Sequence, residues 1–305
     1  MSAWRTLGRW LPLAAFGMLS TLAAAETSSL QAVGTYAVEE TDVTYAQADG
    51  LQLRARIYRP KTQGPLPAIV DVHGGAWSSG DRNAGRVYDH ALASAGLFVF
   101  AIDFRQAPAF QHPAANRDIA KAVRYLRSHA EDLQIEADTI GLVGSSSGGH
   151  LAMLAALLPN SDAFRDGDAD NGGDAAVRYV IALWPVSNPA YRYDYAQRVG
   201  RAELVRAHDA YFGTRERMEE ASVPRILRAK QATHQPPLLV VQPGNDGNIP
   251  LEMTFDLMQA YQEAGGRVDY LFYPGQPHAF GHRPSAATTD LIVAMRDFIA
   301  RALAQ

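Results

Sequence analysis

The stretch Thr139-Ile140-Gly141-Leu142-Val143-Gly144-Ser145-Ser146-Ser147-Gly148 is an apolar run that leads into a turn of glycines and serines. Residues 139–143 predict a short buried strand, and residues 149–158 predict a helix packed behind it. A strand, a G-x-S-x-G turn and a helix form a sharp bend that presents its central serine, because only small flanking residues let the two backbones pass closely. The stretch therefore predicts an α/β fold with a reactive serine at this bend.

Three adjacent serines compete for the central position of that bend. Only Ser146 has glycine both two positions before it, at Gly144, and two positions after it, at Gly148. We therefore predict Ser146 as the nucleophile, and neither Ser145 nor Ser147. Taken alone, the pattern also fits a glycine-serine turn that merely ends a strand.

Apolar runs and amphipathic stretches alternate along most of the chain. The runs that predict buried strands are 67–72, 97–102, 139–143, 180–183, 237–241 and 268–272, and the clearest helical patterns are 116–129, 251–264 and 288–303. Residues 36–45 and 51–58 alternate polar and apolar side chains around a turn, which predicts a strand hairpin. Such alternation predicts a mostly parallel sheet with helices on both faces and an antiparallel N-terminal hairpin.

The first 25 residues have the composition of a secretory signal peptide. Two arginines precede an uncharged apolar run, and three alanines ending at Ala25 follow it. We expect cleavage after Ala25, so that residues 1–25 are removed and residues 26–305 form one domain. An uncleaved membrane anchor is the alternative, but the apolar run is short for a span. The expected location is the periplasm or the medium, with no stable membrane anchor after cleavage.

Composition narrows the classes of function. The chain of 305 residues is 47% hydrophobic and 20% charged, carries a formal net charge of −4 and contains no cysteine. The absence of cysteine excludes disulfides and zinc-thiolate sites. No basic stripe indicates a nucleic-acid partner, and the sequence makes no prediction of oligomeric state.

Two segments interrupt the alternation of strand and helix. Residues 161–174 carry the spacing Asp166-x-Asp168-x-Asp170 of a calcium loop, but the turn glycine and the final glutamate are missing, so we expect a solvated surface loop and no metal. Residues 184–235 contain two helical patterns, and we assign 186–235 as a small helical cap insertion. Tyr191 in that insertion is a candidate substrate contact, with packing as the alternative role.

A nucleophilic serine needs a histidine base and an acid that orients the histidine. Asp246 lies in a Gly/Asn-rich turn after the run 237–241, and His278 lies in a Pro/Gly-rich loop after the run 268–272. The carboxyl ends of parallel strands meet at one edge of the sheet, where such folds bind ligands. We therefore predict Asp246 as the orienting acid and His278 as the base, with a local turn or capping role as the alternative for each.

An oxyanion that forms during attack needs backbone N–H donors. The run His73-Gly74-Gly75-Ala76-Trp77 follows the predicted strand 67–72, and its small residues allow close approach of a substrate. We predict Gly75 and Ala76 as donors, together with the amide of Ser147 after the nucleophile. His73, Gly74 and Trp77 are further candidates for substrate contact.

These motifs together resemble the esterase/lipase branch of the α/β-hydrolases, which includes hormone-sensitive-lipase-like and feruloyl-esterase-like enzymes. The quoted segments are His73 to Trp77, Asp103-Phe104-Arg105-Gln106-Ala107-Pro108, Gly144 to His150, Asp246-Gly247-Asn248-Ile249-Pro250 and His278. The resemblance implies hydrolysis of short acyl or aryl esters without a cofactor, with a small-molecule ester as the substrate. Ala76 and Ser147 replace a glycine and an alanine that are usual in the family.

Two other functions stay open at this point. Arylformamidases also carry a His-Gly-Gly-x-Trp loop, so amide hydrolysis is one alternative. A non-catalytic binding protein on a hydrolase scaffold is the other, for which a broken triad would be typical. The natural ester is also open among acetylated sugars, aryl or feruloyl esters and short-chain acyl esters.

Overall fold

The computed structural model describes residues 35–166 and 173–305. The signal peptide at 1–25, and Asp168 and Asp170 of the calcium-like spacing, lie outside these ranges. Within the described ranges, no helix is long and apolar enough to cross a membrane.

One sheet of eight strands forms the centre of the molecule. Its strands are β1 (Val38–Ala48), β2 (Leu51–Pro60), β3 (Ala68–Val72), β4 (Phe98–Ile102), β5 (Gly141–Ser145), β6 (Val180–Leu183), β7 (Leu238–Asn245) and β8 (Val268–Pro277). The strand order is β1-β2-β4-β3-β5-β6-β7-β8. The hairpin β1–β2 and its pairing with β4 are antiparallel, and every other pairing is parallel.

Helices connect the strands and cover both faces of the sheet. They are α1 (Arg86–Ser94), α2 (Ala114–Ser128), α3 (Ala130–Leu133), α4 (Ser147–Leu157), α5 (Pro189–Arg198), α6 (Ala202–Phe212), α7 (Arg215–Glu220), α8 (Val223–Arg228), α9 (Leu251–Glu263) and α10 (Ala286–Leu303). Two buried apolar clusters lie on opposite sides of the sheet, because neighbouring residues of a strand point to opposite faces. For example, Val70 packs in one cluster and Ile69 in the other. This arrangement is the α/β-hydrolase fold, so the predicted fold class is confirmed.

The segment between β6 and β7 contains four helices, α5 to α8, where the sequence shows two helical patterns. Asn188 is the N-cap of α5 and Thr214 is the N-cap of α7, and each side chain accepts a hydrogen bond from a backbone N–H group of its helix. These helices pack against the turn that follows β3 through an aromatic cluster described below. The insertion therefore lies next to the edge where the predicted catalytic residues emerge.

Two aspartates with structural roles sit at that end of the sheet. Asp118 is buried and binds the Arg105 guanidinium at 2.6 Å, and Asp103 binds Arg82 at 2.6 Å. Asp166 accepts from the same Arg105 at 2.9 Å and pairs with two further basic side chains. The Asp166 carboxylate is thus part of an ion-pair network that ties its segment to α2.

Candidate active site

The bend that carries Ser146 joins β5 to α4 directly. Ser146 lies between these two elements, with φ 55° and ψ −117°, a conformation that L-residues rarely adopt. A Cβ at Gly144 would lie 2.3 Å from the Gly148 carbonyl oxygen, and one at Gly148 would lie 2.0 Å from the Val72 carbonyl oxygen. Both glycines are therefore required by the close passage of backbones and hold the serine in its strained position.

The structure also distinguishes the three serines. Ser145 and Ser147 are fully enclosed, whereas Ser146 is 9% exposed. The Ser147 hydroxyl accepts a hydrogen bond from the Trp77 backbone N–H at 3.2 Å, which ties the turn after β3 to the start of α4. Among the three, Ser146 is the one whose hydroxyl faces the opening.

Ser146, His278 and Asp246 form one hydrogen-bonded chain. The distance from His278 Nε2 to Ser146 Oγ is 3.1 Å, and that from His278 Nδ1 to Asp246 Oδ2 is 2.8 Å. Because a carboxylate accepts, Nδ1 carries the proton and Nε2 is left as the base that faces the hydroxyl. The structure thus brings together three residues that are 32 and 132 positions apart along the chain.

Asp246 is held by its own turn. Its Oδ1 accepts the backbone N–H groups of Asn248 at 2.8 Å and Ile249 at 3.0 Å, which leaves Oδ2 for His278. The Asp246 side chain is 1% exposed and that of His278 is 19% exposed. The Asp246 carboxylate therefore fills both roles that the sequence allowed: one oxygen holds the local turn and the other contacts His278.

The loop after β3 is shaped to present backbone N–H groups. Gly75, Ala76 and Trp77 have φ values of 114°, 51° and 60°, and the Gly75 carbonyl accepts from Ser78 and Ser79. Within the described part of the chain, the N–H groups of Gly75 and Ala76 donate to no other residue. Ser147 is the first residue of α4, so its N–H lacks an intrahelical acceptor. These three donors are thus available to an oxyanion.

His73 and Gly74 have packing positions. The His73 ring is 1% exposed, stacks on Phe104 at 4.2 Å and contacts the Gly74 carbonyl oxygen through Nδ1 at 2.6 Å. Burial lowers the pKa of His73, so the ring is neutral in the interior. A Cβ at Gly74 would lie 2.9 Å from the Ser145 carbonyl oxygen. The structure therefore places His73 beneath the loop and away from the opening.

Trp77 turns inward and anchors the inserted helices. Its indole is 1% exposed, stacks on Tyr211 of α6 at 5.4 Å and donates from Nε1 to His150 Nδ1 at 3.3 Å. His150 Nε2 lies 2.8 Å from the Ala221 carbonyl oxygen, and burial lowers the pKa of His150 to about 3. Tyr191 is 37% exposed and lines a surface cavity of α5 and α7, not the triad.

Sequence reasoning missed one charged residue next to this site. Arg192 of α5 is 1% exposed, and its guanidinium lies 5.3 Å from the centre of the Trp77 ring. It occurs within the run Tyr191-Arg192-Tyr193-Asp194-Tyr195, for which the sequence analysis considered only the tyrosines. Only the docking of α5 onto Trp77 reveals that this arginine is buried.

The fold and the hydrogen-bonded chain of Ser146, His278 and Asp246 define an α/β-hydrolase of the esterase/lipase group. More particularly, residues 56–261 match the BD-FAE family model, and the chain belongs to the BD-FAE family.

Curated relatives and a solved structure agree with that family. The chain is 27% identical to a probable carboxylic ester hydrolase, LipM, of Mycobacterium tuberculosis, over 79% of this chain and 56% of LipM. It is 30% identical to an ethyl acetate hydrolase of Pseudomonas putida, over 68% of this chain and 64% of that relative. The chain thus spans less than two thirds of either relative. Esterase B from Lactobacillus rhamnosis shares the fold, with a TM-score of 0.72, 22% identity and coverage of 88% and 87% of the two chains.

Proposed function

We propose that this protein is an exported serine carboxylesterase that hydrolyses short-chain acyl or aryl esters through an acyl-enzyme on Ser146. The observation that carries the proposal is the chain of hydrogen bonds from Ser146 Oγ to His278 and on to Asp246. Relatives described as a carboxylic ester hydrolase and an ethyl acetate hydrolase support ester bonds as the target.

The geometry supports a two-stage reaction. Ser146 Oγ attacks the ester carbonyl carbon while His278 Nε2 takes its proton, and Asp246 stabilises the imidazolium that forms. The carbonyl oxygen becomes an oxyanion beside the free N–H groups of the loop after β3 and of Ser147. The alcohol leaves with the proton from His278, and an acyl ester on Ser146 remains.

The second stage releases the acid. A water molecule gives its proton to His278 Nε2 and attacks the acyl carbonyl carbon, and the second oxyanion occupies the same donors. Collapse of this intermediate breaks the bond to Ser146 Oγ, which recovers its proton from His278. The chain returns to its starting state, and one water has been added across one ester bond.

The proposal is tested by the hydrolysis of p-nitrophenyl acetate and butyrate. Ser146→Ala should lose at least about 10³-fold in kcat, because the nucleophile is absent. Ser145→Ala is the matched control: its hydroxyl is enclosed, so this variant should retain activity within about threefold. A fluorophosphonate probe should label the wild type and Ser145→Ala but not Ser146→Ala. Unchanged turnover in Ser146→Ala would overturn the assignment.

A comparison of an ester with a formamide distinguishes ester hydrolysis from amide hydrolysis. An ester-hydrolysing enzyme should turn over phenyl acetate with a much higher kcat/KM than N-formylkynurenine. The reverse order would assign the site to formamide hydrolysis and keep the same three catalytic residues.

Export is a separate part of the proposal. Two arginines, an apolar run and three alanines before Glu26 support it. Amino-terminal sequencing of protein recovered from the periplasm or the medium should begin at Glu26. Recovery of full-length protein from the cytoplasm alone would contradict export and leave the proposed chemistry unaffected.

A further inference from the structure

The loop that carries two of the three oxyanion donors has a strained backbone. Ala76 and Trp77 are consecutive non-glycine residues with φ values of 51° and 60°, in the left-handed region that glycine favours. Such residues persist only where the surrounding structure holds them in place. The direction of the Gly75 and Ala76 N–H groups depends on this conformation, so the contacts of Trp77 also set where the two donors point.

Two hydrogen bonds from Trp77 reach the helix that carries the third donor. The Trp77 backbone N–H donates to Ser147 Oγ at 3.2 Å, and its indole Nε1–H donates to His150 Nδ1 at 3.3 Å. Ser147 and His150 are three positions apart on α4, so they lie on one face of that helix. We name these two hydrogen bonds the Trp77 bridge. The bridge joins the loop after β3 to the residue whose backbone N–H is the third donor.

The partners of His150 define the protonation state of its ring. A carbonyl oxygen accepts and an indole N–H donates, so Nε2 carries the proton that is donated to the Ala221 carbonyl, and Nδ1 is the acceptor for Trp77. The ring is fully enclosed, and burial lowers the pKa of His150 to about 3, so the ring is neutral at neutral pH. His150 therefore presents a fixed acceptor to the indole.

The Ser147 hydroxyl and the His150 ring lie outside the chain of hydrogen bonds that performs the chemistry. That chain runs from Ser146 Oγ through His278 to Asp246. Both side chains are fully enclosed behind the bend, so neither contacts a substrate at the opening. Any effect that they have on the reaction must therefore act through the residues they hold.

We propose that the Ser147 hydroxyl and the His150 ring are positioning groups, which through Trp77 align the donors of the loop after β3 with the donor of α4. The inference rests on the proposed esterase function, because the aligned donors stabilise its oxyanion. Donors stabilise a developing charge best when they are already aimed at the place where it forms. The Trp77 bridge supplies this alignment before the substrate reacts.

Two substitutions at His150 each keep one of its hydrogen bonds. The amide oxygen of asparagine is as many bonds from Cβ as Nδ1 is, so His150→Asn keeps an acceptor for Trp77 and loses the donor to Ala221. The amide nitrogen of glutamine is as many bonds from Cβ as Nε2 is, so His150→Gln keeps the donor and loses the acceptor. With p-nitrophenyl butyrate, kcat should fall about tenfold or more in His150→Gln and less than about threefold in His150→Asn. KM should change less than about threefold in both, because the oxyanion forms only during the reaction.

Helix propensity separates this result from a general loss of stability. Asparagine is the poorer helix former of the two residues, so a purely structural role predicts that His150→Asn is no more active than His150→Gln. Urea unfolding of both variants measures how far each is destabilised. Equal kcat in the two variants, or a higher kcat in His150→Gln, would overturn the positioning role of His150.

Ser147→Ala removes the other hydrogen bond of the bridge and tests the proposal even if the His150 variants fail to fold. The backbone N–H of residue 147 remains, but the Trp77 N–H loses its acceptor, so kcat should fall about 3- to 10-fold while KM changes less than about threefold. Ser145→Ala is the matched control, because Ser145 is also enclosed but lies outside the bridge, and it should keep kcat within about threefold. Equal kcat in Ser147→Ala and Ser145→Ala would contradict the proposal.

A transition-state analogue measures the alignment of the donors directly. Ser146 Oγ adds to the carbonyl carbon of trifluoroacetophenone, its proton passes to His278 Nε2, and the carbonyl oxygen becomes an oxyanion beside the donors. The inhibition constant should rise in His150→Gln and Ser147→Ala by about the factor by which kcat/KM falls, and stay near the wild-type value in Ser145→Ala. Ester hydrolysis by the wild type with unchanged inhibition constants in all variants would refute this inference alone. A wild type that hydrolyses no ester would refute the proposed function instead.

Discussion

The strained backbone at Ser146 has a measurable cost in stability. Its φ of 55° and ψ of −117° lie where a residue with a Cβ is disfavoured, and glycine is the residue that adopts such angles freely. Replacing Ser146 with glycine should therefore stabilise the folded state, while replacing it with alanine keeps the Cβ and the strain. Both substitutions remove the same hydroxyl and its hydrogen bond to His278, so their difference isolates the backbone effect.

The size of that difference follows from two opposing effects. A non-glycine residue in a sparsely populated backbone region costs about 1–3 kcal/mol. Glycine makes the unfolded chain more flexible and so costs about 0.5–1 kcal/mol relative to alanine. Ser146→Gly should therefore exceed Ser146→Ala in free energy of unfolding by about 1 kcal/mol. For a chain of 305 residues the corresponding rise in Tm is about 1.5–2 °C.

Urea unfolding followed by circular dichroism measures this difference. Ser145 provides the control, since it ends strand β5 and is not among the residues with positive φ. There the order should reverse, with Ser145→Gly less stable than Ser145→Ala by about 0.5–1 kcal/mol. If Ser146→Gly is no more stable than Ser146→Ala, the bend is not strained and the reasoning fails.

Three further predictions concern packing, a buried ion pair and pH. Gly148→Ala should lower the free energy of unfolding by about 3 kcal/mol, because the new Cβ would lie 2.0 Å from the Val72 carbonyl oxygen. Arg105→Met should cost about 3–5 kcal/mol in urea unfolding, because it leaves the Asp118 carboxylate buried without its cation. Burial raises the pKa of the Asp71 carboxyl in the folded protein. In the unfolded chain this carboxyl loses its proton near pH 4, about where an ordinary aspartate titrates, whereas in the folded protein it loses the proton only at higher pH. The wild type should therefore lose stability as the pH rises from about 4 through the raised pKa. Asparagine has no proton to lose, so in thermal scans the Tm of Asp71→Asn should rise relative to that of the wild type between about pH 5 and pH 8.

Each of these predictions has a control on the same molecule. Gly247→Ala should be tolerated, because its Cβ would lie 3.7 Å from Arg201; equal losses at Gly148 and Gly247 would contradict the steric argument. Arg86→Met removes an exposed pair with Glu40 and should cost less than about 1 kcal/mol; a loss as large as that of Arg105→Met would contradict the role of burial. Asp256→Asn removes a surface carboxylate paired with Arg228 and is the control; if Asp71→Asn gains no more stability over the wild type with rising pH than Asp256→Asn does, the raised pKa of Asp71 is refuted.

Much of the fold could be predicted from local sequence. The six apolar runs named from the sequence correspond to β3 through β8, and β3 to β6 are apolar because both their faces are buried. The prediction that residues 268–272 are a buried strand was wrong on burial, because β8 lies at the edge of the sheet and has no buried residue. The ends of the strands were less predictable: β7 continues to Asn245 and β8 to Pro277, where polar and proline residues give no apolar signal. The inserted segment showed two helical patterns but contains four helices, since short helices are stabilised by tertiary packing more than by their own sequence.

In the candidate site, too, some features could be predicted from local sequence and others could not. Ser146 was identified by its flanking glycines, and Asp246 and His278 by their positions after core strands, because these signals are local and tied to strand ends. The inward turn of Trp77, the burial of His73 and the enclosure of Arg192 have no such signal. Each of these depends on which distant element packs on the side chain, as α6 does on Trp77.

By itself, the sequence determined the alternation of core strands and helices and the sharp bend at Ser146, and it predicted Asp246 and His278 as partners of Ser146, because each of these depends on neighbours within a few positions. Only the tertiary structure decided that Asp246 and His278 meet Ser146 within hydrogen-bond distance, and that α5 buries Arg192 against the Trp77 ring. The physical reason is burial. Whether a charged or aromatic side chain is solvated or enclosed depends on segments far away in the chain, as α5 and α6 show for Arg192 and Trp77.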